Sequence, residues 1–583
     1  MKKNSLLLLN TFLTAFTLLA LCPLSVAQSN CSPPTANINL DVNNANAALT
    51  NAGSIWWNNE NGSYFFPNDG STNPFLATSS IFAGGFWIAG VDPAGNLKLA
   101  AQSYGLGSGL TDYFPGPLDD VGLTTTNDCN NYDRFWRVTE QDINDFISDF
   151  QDNGMLDDPI PTSILAWPGN GSTNSMSTNG FEIPNRSVGM APFFDNDGNG
   201  IYNPENGDYP EIKGATEGVW WVFNDAGNIH TQTSGDNLQF EIQALAYAYV
   251  SQETAINNTT FYDFKIINRA VESLDSTFIG FWVDPDLGCF TDDYVGCDPS
   301  RNLAYVYNTD AIDGDSGCSC TGGVPTYCEE IPVMGIKVLD GVLDIDPQNG
   351  PQNLGMSNFG YYNNAGLGSS PPGTVDPATP SEIYNYLSGS WKDGTRMTKG
   401  GTGYNPGSTD FTNYAFPDSP NDPDGWSMCS EGLPTSDRRF ILSSGPYESL
   451  PGNIQSVSIA VIMVEDVTHP CPDLTPLFDA SDIVQDFFDD NNIMTNTEDL
   501  TIRQGLKVFP NPMEAYATIA LEQIGQEIKN LKLFTVDGRL IREHSNINQQ
   551  QFQLYREGLS KGMYLYQVQT NDQQYFNGKI LIQ

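Results

Sequence analysis

The chain has 583 residues with 25 basic and 70 acidic side chains, a formal net charge of −45. Such a field repels nucleic acid and anionic membrane surfaces, which excludes both as natural partners. At 39% apolar and 11% aromatic residues the chain is nonetheless too hydrophobic for the disorder that strong acidity otherwise brings, and it can bury a sizeable core.

Residues 1–27 have the parts of a secretory signal peptide. Lys2 and Lys3 precede an apolar stretch from Leu6 to Leu21, and Ser25-Val26-Ala27 suits a signal peptidase, so cleavage is expected before Gln28. Asn10 and Pro23 interrupt the stretch, which argues against a retained anchor. Leu21 stands before Cys22, where a lipid-attachment motif needs a small residue. No later segment reaches the ~20 apolar residues of a membrane helix, so an integral membrane protein is not expected.

Setting aside the two leader lysines and the 8 basic and 7 acidic residues of 507–583, the body keeps 15 basic against 63 acidic residues. Its short aromatic and β-branched runs, separated by Gly, Asn, Asp and Pro clusters, point to an all-β fold. We expect a large β-sandwich body with long loops and few short helices. In an N-terminal region, 28–215, strands are expected at 85–91 and 97–103 around an Asp92–Asn96 turn. Thr139 and Asp142 form an N-cap pair ahead of Ile143, Phe146, Ile147 and Phe150, which recur at helical spacing. Residues 168–180 read as a flexible loop.

Asp195-Asn196-Asp197-Gly198-Asn199-Gly200-Ile201 has the spacing of a calcium loop. Asp195, Asp197 and Asn199 offer oxygens at alternate positions, Gly200 permits the turn and Ile201 offers a carbonyl. The twelfth position is Asn206 rather than a bidentate acid, so Asp208 or Glu205 must substitute. The competing reading is a metal-free Asx turn.

Residues 216–494 read as a β-sandwich domain, with strands near 218–223, 238–250, 260–268, 277–283, 303–307, 333–339, 439–444 and 456–464. A loop-rich insertion spans 340–438 and a helix closes the body near 477–488. Alternation along 240–250 puts Phe240, Ile242, Ala244 and Ala246 on one face and Glu241, Gln243 and Tyr247 on the other. A second acidic loop contains Asp284, Asp286, Asp292, Asp293 and Asp298, with Asp310, Asp313 and Asp315 beyond it. It is a second candidate for Ca2+, against a solvated turn held by a Cys289–Cys297 bridge. Of ten cysteines nine follow the leader, five of them between 289 and 328. The spacing and the lack of a nearby histidine favour local disulfides over zinc. Cys318 and Cys320 should have different partners, and the odd count leaves one thiol over.

No H-E-x-x-H, G-x-S-x-G or P-loop is present, and the only histidines are His230, His469 and His544. No catalytic residue can be named, and His230, beside a strand-to-strand turn, reads as structural.

After a polar linker at 495–506, residues 507–583 carry V-F-P-N-P (508–512), L-F-T-V-D-G-R (533–539), L-S-K-G-M-Y-L-Y (559–566) and K-I-L-I (579–582). Strand-like runs at 516–521 and 531–536, a tight turn at Asp537-Gly538 and a hairpin about Asn571-Asp572 make a small Ig-like β-sandwich. The four motifs in this order resemble the type A C-terminal sorting domain of cargo for the type IX secretion system of Bacteroidota. The resemblance implies passage through the periplasm, recognition by the type IX machinery, and removal by a sortase-like peptidase within 495–505. It further implies release, or attachment to surface lipopolysaccharide at the outer cell surface. In the body, G-G-F-W-I-A-G-V-D, the stretch from Asp195 to Pro210 and W-V-D-P-D-L-G resemble uncharacterised large secreted proteins of the same bacteria, a likeness that brings no activity with it. The expectation is a non-enzymatic, adhesin-like or glycan-binding protein with structural calcium. The alternative is a secreted polysaccharide hydrolase using a carboxylate pair ~5–10 Å apart.

Overall fold

A computed structural model describes residues 30–58, 62–68, 77–314, 318–346, 350–365, 370–465, 467–494, 506–509, 513, 515–521, 527–535, 540–556, 558–571 and 575–582. The leader, Asp315, the Asp537-Gly538 turn and the 495–505 cleavage region lie outside the described residues. The chain divides into two compact units, 1–491 and 492–583.

The first unit is built on two antiparallel sheets. One has ten strands, running Asn358–Asn363, Arg438–Ser449, Leu274–Asp284, Ala83–Val91, Ser54–Ile55, Asn46–Thr50, Tyr64–Phe65 and Ser79–Ile81. Asn37–Leu40 and Leu97–Ala101 attach at its side. The other has nine, running Asp293–Asp298, Leu303–Asn308, Val333–Asp340, Ile454–Val464, Thr259–Asn268, Phe240–Ala248, Glu217–Asn224 and Phe114–Pro115, with Trp136–Thr139 also on Glu217–Asn224. Strands from 28–215 and from 216–494 interleave in both sheets, so a line at 215/216 falls inside one body. The stretch 340–438 likewise supplies a strand, Asn358–Asn363, to the larger sheet.

The sheets face each other across an aromatic core. Phe86 of the ten-stranded sheet lies 5.4 Å from Phe264 and 6.1 Å from Phe223 of the nine-stranded one. The Trp56 indole N–H donates to the Tyr262 hydroxyl at 2.9 Å, satisfying the polar edge of a fully buried ring.

Strand Phe240–Ala248 is buried along its whole length rather than on alternate residues. Its second face is covered too: Phe487 of helix Thr475–Met494 packs on Tyr249 and Phe261. The polar residues of that face are paired inside the protein. Glu241, fully buried, accepts from the Leu118 N–H at 3.0 Å, Arg186 Nη1 at 3.1 Å and Arg269 Nη2 at 3.2 Å.

Helix Glu140–Asn153 begins where expected, with the Thr139 side chain accepting from the Asp142 N–H, and ends at Gly154 in the left-handed conformation. The stretch 168–180 is packed down rather than free: Asn170 Nδ2 donates to Asn185 Oδ1 and the Gly200 carbonyl, and Ser175–Thr178 forms a helical turn.

The disulfides are Cys31–Cys129, Cys289–Cys318, Cys320–Cys328 and Cys429–Cys471. Cys318 and Cys320 do have different partners. The Cys289–Cys297 bridge is not formed: Cys297 is the buried free thiol, within reach of the Ala415 carbonyl.

The second unit has its own core, including Ile519, Leu531, Leu533, Leu554, Val568 and Ile580. A three-stranded sheet (Leu506–Phe509, Tyr516–Leu521, Gln551–Tyr555) and a four-stranded sheet (Leu540–Gln549, Ile528–Thr535, Gly562–Thr570, Tyr575–Ile582) enclose it.

Candidate metal centres and an aromatic groove

The calcium-like loop is the connection of a two-residue hairpin. Phe193–Phe194 pairs with Tyr209–Pro210, and 195–208 runs between them. Asp195, Asp197 and Asp208 each bring a carboxylate oxygen within 4.8 Å of the others. Asp195 accepts from the N–H groups of Gly198 and Gly200 at 2.8 and 2.6 Å. Gly198 and Gly200 have φ of 70° and 74°, which favours glycine at both. Asp208 is fully buried and accepts from the N–H groups of Asn196 and Asn203 at 2.9 and 2.8 Å. Burial raises its pKa, and the Asp195 and Asp197 charges push the same way.

Asp208 thus stands where the twelfth-position acid is missing. Asn199 turns its carbonyl oxygen to the Ile201 N–H at 2.6 Å, so that oxygen already has a donor. Asn206 donates to Asp197 at 3.1 Å, while Glu205 is exposed and outside the carboxylate group. These residues suit a hard cation with oxygen ligands.

Beside this loop lies a groove of about 240 Å³. Phe146, Phe150 and Gln151 of helix Glu140–Asn153 form one wall; Phe194, Tyr209 and Asn196 form the other. Phe194 and Tyr209 are cross-strand partners with rings stacked at 4.8 Å and 16°, and Phe194 remains 44% exposed. Gly207 (φ 92°) lets the loop pass the Phe150 ring, since a Cβ there would lie 2.6 Å from it. In the tail, a second groove of about 440 Å³ is lined by Phe552, Tyr555, Thr518 and three glutamines.

The second acidic loop does not gather round one point. Asp284 and Asp286 form one group with Asp437, which precedes strand Arg438–Ser449. Arg439 lies among them, Nε 3.0 Å from Asp284 and Nη1 2.6 Å from Asp437, and Tyr104 donates to Asp284 at 2.6 Å. Burial raises the pKa of Asp284 and of Asp286, with the Arg439 charge opposing it in both.

Asp292, Asp293 and Asp313 lie apart, at 2%, 2% and 0% exposure. Oxygens of Asp292 and Asp313 come within 4.8 Å of each other and of Cys289 Sγ, which is bonded to Cys318. Burial pushes Asp292 up to about 6 and Asp313 to about 7; Asp293 is raised by burial and by the Asp292 charge. Asp298 is elsewhere, paired with Arg301 at 2.8 Å. Asp437, Arg439 and Tyr104 were not singled out by the sequence, although D-R-R at 437–439 is a visible charge cluster.

His230 is 3% exposed, with Nδ1 2.9 Å from the Leu99 carbonyl and Nε2 2.6 Å from the Asp225 carbonyl. Both ring nitrogens are engaged by backbone, a structural arrangement that offers no base to a nucleophile.

Among the described residues no helix is long and apolar enough to cross a membrane. No curated protein matches the chain. Among solved structures, one titled a polysaccharide lyase aligns at 10% identity over 59% of this chain, with a TM-score of 0.15. The chain spans about a third (34%) of that structure's length, and a likeness so slight carries no argument. Residues 507–583 match the model of the secretion system C-terminal sorting domain. With the tail's separate fold, that match makes the chain a cargo protein of type IX secretion, exported to the outer surface or beyond it.

Proposed function

We propose that the exported body is a non-enzymatic glycan-binding or adhesin-like protein, and that the Phe194–Tyr209 platform is its sugar contact. The observation that carries this reading is the placement of the platform on the hairpin that the carboxylate loop closes. A stacked, half-exposed aromatic pair presents a flat apolar face, and Gln151 and Asn196 add amide groups at the rim. That combination suits the C–H face and hydroxyl edge of a pyranose.

A calcium ion held by Asp195, Asp197 and Asp208 would fix the separation of residues 194 and 209, coupling ligand affinity to the cation. A hydrolase needs two carboxylates facing a substrate, and neither groove has an acidic residue in its lining. Tethering to surface lipopolysaccharide after removal of the tail completes the proposal.

The test is a polysaccharide panel scored for both binding and release of reducing sugar. Binding should weaken about tenfold in Phe194→Ala and fall in EGTA, with no sugar released. Undiminished binding by F194A and Y209A would remove the platform, and sugar release would favour the hydrolase.

A further inference from the structure

We infer that Asp292, Asp293 and Asp313 form a second, interior site for a calcium ion, separate from the 195–208 loop and independent of the sugar platform. Carboxylate oxygens of Asp292, just before strand Asp293–Asp298, and of Asp313, in the turn after strand Leu303–Asn308, come within 4.8 Å of each other in the protein interior, and buried Asp293 follows Asp292 as the first residue of its strand. Backbone donors engage one oxygen each of Asp292 and Asp293 and both oxygens of Asp313. Asp292 Oδ2 accepts from the Gly314 N–H at 3.0 Å, and Asp293 Oδ2 from the Leu287 N–H at 2.9 Å. Asp313 accepts from the Cys289 N–H at 3.0 Å and the Tyr327 N–H at 2.5 Å.

The other oxygens of Asp292 and Asp293, both Oδ1, are buried and accept no hydrogen bond of ordinary geometry, with the Asn308 amide near enough to Asp292 to lower its pKa. The Thr309 hydroxyl is likewise buried and unpartnered, and its residue abuts Asp292 through an N–H to the Asp292 carbonyl at 2.8 Å. An unpaired charge in such a place costs several kcal/mol, which these acids avoid either by taking up protons or by sharing a cation.

No side chain supplies it. Among the described residues no ion pair reaches Asp292, Asp293 or Asp313. The adjacent Arg438 donates through Nη1 and Nη2 to the carbonyls of Asp293, Ser436 and Pro434 and leaves its buried Nε unpartnered, without forming an ion pair to any of the three acids. Arg439 is committed to Asp284 and Asp437, and that internal cation is why those two acids need no metal. Cys289 Sγ is closed off by its bond to Cys318, leaving an all-oxygen ligand set. Oxygen-only ligation with several carboxylates selects calcium over zinc or copper. The disulfide pins both chain segments of the site, so the ligands are held together before the ion arrives.

The full chain, purified without chelator and then stripped with EDTA, is titrated with Ca2+ by calorimetry. Wild type should bind two ions, and Asp292→Asn with Asp313→Asn should bind one. In EDTA the double variant gains from relieved repulsion but loses one of the two backbone acceptors of Asp313, so the telling quantity is the change on adding calcium: the melting temperature of wild type should rise more than that of the variant. Equal stoichiometry in variant and wild type, or a stability difference unmoved by calcium, would overturn the site. Should the variant not fold, Asp195→Asn with Asp208→Asn decides instead: one ion retained supports the interior site, and none refutes it. These outcomes are read separately from sugar binding.

Discussion

Replacing Asp208 by Asn tests whether the 195–208 loop is a cation site or a self-sufficient turn. The two oxygens of Asp208 each accept a backbone N–H, from Asn196 and from Asn203, in a fully buried position. An amide can keep one of these bonds, but its NH2 then faces the other donor. Losing one buried acceptor costs ~1–3 kcal/mol without metal, less whatever is regained by relieving repulsion from Asp195 and Asp197. With calcium a hundredfold above Kd, wild type gains ~2.7 kcal/mol that the variant does not. The gap between them should therefore widen by that amount. At ~2.1 cal/mol/K per residue over residues 30–491, the entropy of unfolding is roughly 1 kcal/mol/K, so the widening is about 3 °C in Tm. Scanning calorimetry of both proteins in EGTA and in saturating calcium reads it directly. A Tm gap identical in the two buffers would show the loop to be held by hydrogen bonds alone.

Further outcomes are expected elsewhere. Glu241→Ala should destabilise the body by ~3–5 kcal/mol in urea titrations, because Arg186 and Arg269 lose a buried counter-charge; a loss below ~1 kcal/mol would contradict that role. Removing the Cys31–Cys129 bridge, which joins residues 98 apart, should cost up to ~4.7 kcal/mol by chain entropy, measurable as a lower denaturant midpoint. Burial lowers the Lys337 amine to about 8, where it donates to the Arg301 carbonyl and Ser481. The unfolded chain binds its proton up to about 10.5, so stability should rise with pH between about 8 and 10.5, and Lys337→Met should flatten that rise in calorimetric scans. Deleting 507–583 should leave the chain in the periplasm, as fractionation and immunoblotting would show; normal appearance outside the cell would refute the sorting role.

The strands were legible because their apolar runs are bounded by turn residues, and strand Tyr516–Leu521 has the limits the sequence suggested. The sheet partners were not legible. Nothing local in Ala83–Val91 says that it pairs with Leu274–Asp284, nearly two hundred positions away. Alternation at 240–250 suggested a wet face and missed both the covering helix and the internal partners of that face: Arg186 and Arg269 on Glu241, and Glu241 with the Gly189 carbonyl on Gln243. At the 195–208 loop, the spacing of the oxygen-bearing side chains was readable, and the fold brings Asp208 beside Asp195 and Asp197. At the second loop the acids were visible, but Arg439, distant in sequence, divides them. Disulfide pairing depended on the same long-range geometry, which is why Cys289 pairs with Cys318 rather than with Cys297.

Both sheets are completed late. Strand Ile454–Val464 sits inside one sheet, between Val333–Asp340 and Thr259–Asn268, and Arg438–Ser449 sits inside the other, between Asn358–Asn363 and Leu274–Asp284. A nascent chain cut short of these strands has four raw edges and no way to close them. The export label follows only after both, so any chain that displays it has already received every strand its cargo needs. Placing the address last makes shipment conditional on a finished parcel.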